Sequence, residues 1–409
     1  MSNKIVIIGA GFAGVWSALS AKRLIGLSQN ERHIEVIVVA PGASLVLRPR
    51  LYESKPSKMA YPLKALFEAA GITFFQGTVT SIDTERHGIQ VKSAKGVQST
   101  IVYDRLILAA GSTIVKPKGI IGIEENTFNI DSLDAAVTLQ DHLEKLASLP
   151  ATTSRDTVVV CGAGFTGIET ASELPKRLGH IPNHRIILIE KTGRIGPELS
   201  PCYRPVITQA LQELGIDIKL GSAVKSVDAN GVNFESGERI ETKTTIWTVG
   251  VRATHLTQQI PGDKDAFSRL HVNRDLRVPS VNHVFATGDA ACVLADDSGH
   301  HAQMSCQHAL QLGCVSGHNA AADLLGEPTL NYSQPIYNCC LDLGAWGAVV
   351  GGGWEGQVKV TGDWAKRVKE YINQKLIYPP TDVQEALKWA KAVRPDSDYS
   401  LDQVIQAMA

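Results

Sequence analysis

Nothing in the cysteine spacing suggests a redox pair or a metal framework. The seven cysteines are Cys161, Cys202, Cys292, Cys306, Cys314, Cys339 and Cys340, and none forms C-x-x-C or C-x-x-x-x-C. Most read as small buried hydrophobes. Adjacent Cys339 and Cys340 are poorly placed for an unstrained mutual disulfide. No metal site is expected. Net charge is nearly absent too: 40 Lys and Arg face 41 Asp and Glu, a formal charge of −1. No basic excess draws in nucleic acid or anionic lipid, and no nucleic-acid partner is expected. A run of about 20 apolar residues, the length that spans a bilayer, does not occur. The first strand-like run starts at Lys4, which leaves no room for a signal or transit peptide. The expected location is the cytoplasm, with peripheral attachment to the cytoplasmic membrane face left open. What remains is an ordinary globular composition, 44% hydrophobic and 20% charged, in 409 residues, enough for two or three domains.

Against that plain background stand two glycine loops of one kind. The first is Lys4-Ile5-Val6-Ile7-Ile8-Gly9-Ala10-Gly11-Phe12-Ala13-Gly14. The second is Thr157-Val158-Val159-Val160-Cys161-Gly162-Ala163-Gly164-Phe165-Thr166-Gly167. Each is an apolar, β-branched run that ends in G-x-G-x-x-G and opens into a helix-like stretch. The first glycine permits a tight turn, the second lets backbone approach a pyrophosphate, and the third lets helix pack on strand. The helix N-terminus then offers N–H groups and partial positive charge to phosphate. A pair of such loops points to a protein that holds two dinucleotides and passes electrons between them.

The rest of the chain repeats this plan. Strands alternate with helices from residue 4 to about 330, which predicts a parallel, doubly wound α/β architecture. Each loop is followed by a second strand, Glu35–Val39 and Arg185–Ile189, and later by a meander of short segments. In the first half these are Thr73–Phe75, Val79–Ile82, Ile89–Val91 and Thr100–Val102; in the second the meander covers Ile218–Ile240. Apolar strands then close each half, Leu106 to Gly111 and Thr245 to Gly250. Helices are expected over Tyr203–Leu214 and Gln303–Leu325. Residues 331–409 differ in character: a glycine-rich, hairpin-like stretch (Gly344–Gly356) precedes amphipathic helical patterns over 364–378 and 382–393. The mixed charge of that tail suits packing on the chain's own core or on a second subunit, a homodimer, better than an anionic surface.

Three further segments carry a resemblance. Ala286-Thr287-Gly288-Asp289, Thr245-Ile246-Trp247-Thr248-Val249-Gly250-Val251-Arg252-Ala253 and Arg48-Pro49-Arg50-Leu51-Tyr52-Glu53 join the two loops in a set that resembles the two-dinucleotide flavoproteins. That family includes type II NADH:quinone oxidoreductases and apoptosis-inducing-factor-like oxidoreductases, and the likeness covers about residues 4 to 378. It implies two Rossmann-type domains, with the NAD domain inserted in the FAD domain: FAD at 1–118 and 251–330, NAD(H) at 119–250, and a C-terminal α+β segment at 331–409.

The resemblance also assigns residues. FAD would be held by Gly9, Gly11, Phe12, Ala13, Gly14, Arg48, Val79, Ala110, Gly111, Gly288 and Asp289. The nicotinamide cofactor would be held by Gly162, Gly164, Phe165, Thr166, Gly167, Glu190 and Gly250. Glu190 ends the second strand of its unit, where a carboxylate takes the ribose hydroxyls, so NADH is expected over NADPH. The matching position in the first unit is Ala40, a departure from the family pattern. Glu169, two residues past the last loop glycine, reads either as a helix-dipole partner in the first helical turn or, by resemblance, as a catalytic residue beside nicotinamide and flavin. Gln303 would open the helix below the flavin ring, and Lys369 would reach the acceptor pocket or else be a solvated cation. No cysteine lies between residues 40 and 60, where disulfide reductases of this superfamily carry theirs, so electrons are expected to leave the flavin directly. The implied activity is FAD-dependent oxidation of NADH with a quinone or similar small acceptor. The alternatives are a reductase of a ferredoxin- or rubredoxin-type carrier, or an NADH-responsive interaction protein.

Overall fold

The computed structural model describes residues 2–28, 33–394 and 401. Strand β1 (Asn3–Ile8) leads through Gly9 into helix α1 (Phe12–Leu27), then β2 (Ile34–Ala40), β3 (Thr73–Gln76) and β4 (Arg105–Leu108) follow. A second unit repeats this: β5 (Thr157–Cys161), α2 (Phe165–Arg177), β6 (Arg185–Ile189), β7 (Ile216–Lys219) and β8 (Thr244–Trp247). The second sheet has the order β7-β6-β5-β8, all parallel. The first has the matching order β3-β2-β1-β4, extended beyond β4 by β9 (Val284–Ala286), also parallel. Thus the chain leaves the first sheet after β4, builds the second, and returns to the first at β9.

Nearly continuous apolar runs make these strands because both faces are covered. Along β1, Ile5 and Ile7 join the core under the helices, while Val6 and Ile8 join a second core with Val79, Ile82, Ile89 and Val91 of the meander. β5 divides likewise, Val158 and Val160 to one side and Val159 and Cys161 to the other. Both meanders are three-stranded and antiparallel.

Helix α3 (Cys306–Leu325) lies along α1. A Cβ on Gly313 would sit 2.5 Å from the Ala13 carbonyl, and one on Gly317 would collide with the Ser17 carbonyl. Two glycines one helical turn apart therefore let the backbones touch, and Ser17 Oγ meets Ser316 Oγ at 2.9 Å. This close crossing brings the start of α3 to the first glycine loop. The expected helix over Gln303–Leu325 is corrected here: it starts at Cys306, because Ser305 is extended and its hydroxyl accepts the His308 N–H at 3.3 Å as N-cap. Gln303 stays in the preceding loop.

The C-terminal unit is an antiparallel sheet of β10 (Asn338–Asp342), β11 (Ala348–Gly352) and β12 (Gln357–Thr361), covered by helix α4 (Gly362–Tyr371). Its turn at Gly344 presses on the α2 backbone, where a Cβ would collide with the Ser172 carbonyl. That contact carries β10 and α4 onto the helix that follows the second glycine loop. A π-helical turn, Ile372–Leu376, extends α4, and the last expected helix is only Val383–Trp389. Among the described residues no helix is long and apolar enough to cross a membrane.

Candidate active site

The two glycine loops superimpose in their details. Gly9 and Gly162 stand at φ +115° and +103°, a backbone that side-chain-bearing residues rarely adopt. Their N–H groups donate to a carbonyl at the end of the neighbouring strand, Gly9 to Val39 (2.9 Å) and Gly162 to Ile189 (2.8 Å). A Cβ on Gly14 would collide with the Gly9 carbonyl, and one on Gly167 with the Gly162 carbonyl. Gly11 and Gly164 are the N-caps of α1 and α2; neither helix has an acidic residue in its first turn. Each loop thus presents a helix N-terminus framed by backbone.

What surrounds the loops differs. Ala40 follows Val39 and Glu190 follows Ile189, so the two are structural equivalents. Glu190 is 8% exposed. Its carboxylate accepts the Ala163 N–H (3.0 Å) and the Thr192 N–H (2.8 Å), which fixes it beside the loop with lone pairs to spare. Around the first loop the anchoring is by other residues. Gly288, at φ +59°, comes so close to Ala13 that a Cβ would sit 2.8 Å from its methyl. Asp289 accepts from Ser112 Oγ at 2.6 Å. Arg48 donates to Ser112 (3.2 Å) and Asp131 (2.5 Å) and lies 3.7 Å from Asp289. A Cβ on Gly111, at φ +65°, would lie 3.9 Å from Arg48 Nη1. Val79 turns its side chain into the core.

Glu169 is not in the first turn of its helix, which corrects the dipole reading: α2 starts at Phe165, so Glu169 is a turn further on and faces the C-terminal unit. There it forms a buried ion pair with Lys369 at 2.9 Å, the two residues being 3% and 5% exposed. Lys369 is therefore no solvated cation. Its ammonium also donates to the Cys340 carbonyl (2.8 Å) and lies 5.5 Å from the Phe165 ring centre. The Asp342 N–H donates to the same Glu169 oxygen at 3.0 Å. The Asp342 carboxylate accepts from Tyr52 (2.9 Å), from Lys366 (2.6 and 2.7 Å) and from the Gly344 N–H (2.8 Å). Lys366 keeps 26% of its side chain exposed. A chain of polar groups consequently runs from solvent at Lys366 through Asp342 to Glu169.

Burial pushes the Glu169 carboxyl up to about 7; Lys369 opposes this and the nearby Asp342 charge adds to it. For Lys369, burial favours loss of the proton, but the Glu169 carboxylate beside it outweighs this and holds the ammonium charged. The pair can thus keep or release one proton near neutral pH. Neighbouring thiols do not share that chemistry: burial pushes Cys339 up to about 12 and Cys340 up to about 11, so neither is a reactive thiolate.

Gln303 lies on an exposed loop and donates to the His301 carbonyl at 3.3 Å. No hydrogen bond joins it to Lys369 among the described residues. Its backbone N–H donates to His308 Nδ1 at 3.2 Å. Burial pushes His308 down to about 3, so the ring is neutral. It stacks on Tyr337 (5.2 Å) and on Trp354, which stacks in turn on His300 at 4.5 Å. Sequence reasoning missed Asp342, Lys366, Asp131 and Ser112 as parts of these clusters. One signal was there for Lys366: it stands one turn before Lys369, on the same helix face.

Residues 3–313 match the model of the pyridine nucleotide-disulphide oxidoreductase family. The chain belongs to that family. A NADH dehydrogenase-like protein of Mycobacterium tuberculosis is 41% identical over 94% of this chain and 96% of its own. A type II NADH:quinone oxidoreductase of Staphylococcus epidermidis is 26% identical over 95% of this chain and 98% of its own. A demethylphylloquinone reductase of Synechocystis is 28% identical over 85% and 86%. Among solved structures, NDH2 from Plasmodium falciparum in complex with NADH has the same fold: TM-score 0.75 at 15% identity, covering 95% of this chain and 97% of that one.

Members of this family are FAD-dependent, and the first loop fits that cofactor. A Cβ on Gly11 meets nothing within 4 Å, so the backbone there is open to a pyrophosphate. Asp289, held by Ser112, stands at the point where β9 returns beside β4. At the second loop the equivalent space above Gly164 is taken by a side chain: Glu198 Oε1 accepts the Phe165 N–H at 2.6 Å. The first loop is thus open above its second glycine, while the second is covered there by Glu198.

Proposed function

We propose that this chain is an FAD-dependent NADH dehydrogenase that delivers electrons to a quinone-like small acceptor. FAD, when bound, supplies a two-electron carrier between nicotinamide and acceptor. The first loop with Arg48, Ala110, Gly111, Gly288 and Asp289 would hold it, with Val79 in the adjoining meander. The second loop, Gly250 and Glu190 would hold the nicotinamide cofactor, with Glu190 favouring the free 2′-hydroxyl of NADH. The domain assignment is FAD at 1–118 and 251–330, NADH at 119–250 and the acceptor side at 331–409. It is supported by the chain's departure from the first sheet after β4 and its return at β9.

The observation that carries the reading is the buried Glu169–Lys369 pair, held between the helix of the second loop and the C-terminal unit. Oxidation of NADH by a quinone consumes one proton besides the two electrons and proton that NADH gives up. Glu169, with its carboxyl pushed up to about 7, can hold that proton near neutral pH, and Lys369 keeps the carboxylate left behind paired. Lys366 pairs with the Asp342 carboxylate, and the Asp342 backbone N–H holds Glu169 Oε1 in place. Closure of α4 over the pair excludes bulk water, which strengthens each of these interactions. The same relatives named above, the NADH dehydrogenase-like and quinone oxidoreductase proteins, support this assignment. It is tested by steady-state NADH oxidation with a short-chain quinone against a ferredoxin-type protein acceptor. Turnover with the quinone is expected; turnover with the protein carrier alone would overturn the acceptor assignment.

A further inference from the structure

The strap that follows β6 crosses the mouth of the second glycine loop. Its backbone is pinned on both sides. The Gly196 N–H donates to the Ala163 carbonyl at 2.8 Å, inside the glycine loop. The Ser200 hydroxyl donates to the Glu355 carbonyl at 2.6 Å, in the turn between β11 and β12. The Arg204 guanidinium holds the carbonyls of Ile195 (3.1 Å) and Leu199 (3.3 Å). Between these anchors the Glu198 side chain is exposed, and its carboxylate caps α2 from outside the helix through the Phe165 N–H.

The carboxylate stands on the spot that the loop keeps clear in its twin. A Cβ on Gly164 would lie 2.5 Å from Glu198 Oε1 and 3.3 Å from Oε2, while one on Gly11 would meet nothing within 4 Å. The glycine is needed at this position so that a pyrophosphate can approach the backbone. An anion at a helix N-terminus gains from the dipole and from the N–H donors. Two anions cannot share one N–H, and their charges repel at this distance.

We infer that Glu198 is a resident anion at the pyrophosphate position of the second loop, and that it must swing aside each time the nicotinamide dinucleotide binds. The inference rests on the reading of the second loop as the NADH site. Because the strap's backbone is anchored, the motion is a side-chain rotation, fast on the scale of turnover. The carboxylate stabilises the helix end while the site is free and competes with the cofactor when it arrives. Affinity is lowered for NADH and NAD+ alike, which speeds release of the oxidised product. The first loop has no such competitor, in keeping with a cofactor that stays bound.

The test uses FAD-loaded protein and ADP-ribose, which carries the pyrophosphate without the redox ring. Calorimetry compares the parent with Glu198→Gln, which removes the charge but keeps an acceptor for the Phe165 N–H, and with Glu198→Ala. Both variants are expected to bind ADP-ribose about two- to fivefold more tightly, the range of a surface helix-dipole interaction. Product inhibition by NAD+ should strengthen by the same factor. Affinity unchanged or weakened in both variants overturns the inference alone, since Glu198 would then be idle or a ligand-holding group. If the parent and both variants bind no ADP-ribose and NADH does not reduce the flavin, the inference falls together with the NADH reading of the loop.

Discussion

A side chain added to Gly11 would meet open space; one added to Gly164 would run into Glu198. At the end of the neighbouring strand stands Ala40 in the first unit and, just past the last strand residue, Glu190 in the second. These differences sit on two loops whose glycine angles, neighbouring hydrogen bonds and helix caps agree nearly atom for atom. On the proposed reading, the shared backbone binds phosphate and the side chains around it set how long a dinucleotide stays and which ribose it carries. Beside the first loop Gly288 packs on Ala13, and Asp289 is held by Ser112, which also takes the Arg48 guanidinium; the second loop is covered by the Glu198 carboxylate, and its helix carries the buried Glu169–Lys369 pair.

The most damaging way to break the comparison is to fill one loop at a time. Gly14→Ala and Gly167→Ala each drive a methyl into a carbonyl of the same loop, at a cost of about 1–3 kcal/mol or more. Gly14→Ala is expected to yield protein that loses FAD on purification, read from its visible spectrum. Gly167→Ala should stay yellow yet fail to be bleached by NADH. Loss of FAD from both variants would mean that the loops are not separable in function.

Next in size is the buried pair. Lys369→Met leaves Glu169 to ionise unpaired, which costs about 3–5 kcal/mol at pH values where the carboxylate must form. Glu169 has a folded-state value of about 7 against an ordinary 4.5. The folded protein therefore holds a proton that the unfolded chain has released, and the Glu169 contribution to stability falls as pH rises from about 4.5 to about 7. Removing Lys369 takes away a lowering influence and should move the pH inflection of quinone reduction upward. Asp342→Asn removes a raising influence and should move it downward. Stopped-flow reoxidation over a pH series reads both; displacement in one direction for both variants would exclude Glu169 as the titrating group. Smaller again is the ribose contact. Glu190→Gln should cost about 1–3 kcal/mol of the preference for NADH over NADPH, checked by the two specificity constants. The Glu198 variants are expected to have the smallest effect of the series.

How much of this could be read from the residues depends on range along the chain. The glycine loops and the strands before them are local, so β1, β5 and β6 fall where their apolar runs place them. Glu190 is legible because it ends such a strand. The α3 start falls three residues past the expected Gln303, because the Ser305 hydroxyl caps the helix locally. Lys369 had two readings, solvated or functional, and only the folding of α4 onto α2 decides between them. Asp342 meets Glu169 across 173 residues of sequence, through a turn pressed on the α2 backbone, and no pattern in either segment announces it. Glu198 was invisible for the same reason: its strap is irregular, and a cap supplied from outside the helix leaves no spacing to recognise.

The central claim is that the two loops hold an electron donor and an electron carrier in one molecule. An anaerobic titration of the purified protein with NADH, followed by addition of a short-chain quinone, tests it most directly. The account predicts a yellow protein bleached by about one equivalent of NADH per FAD and recoloured by the quinone. A protein that carries no FAD and takes none up, or a bound flavin that NADH leaves oxidised, would contradict it.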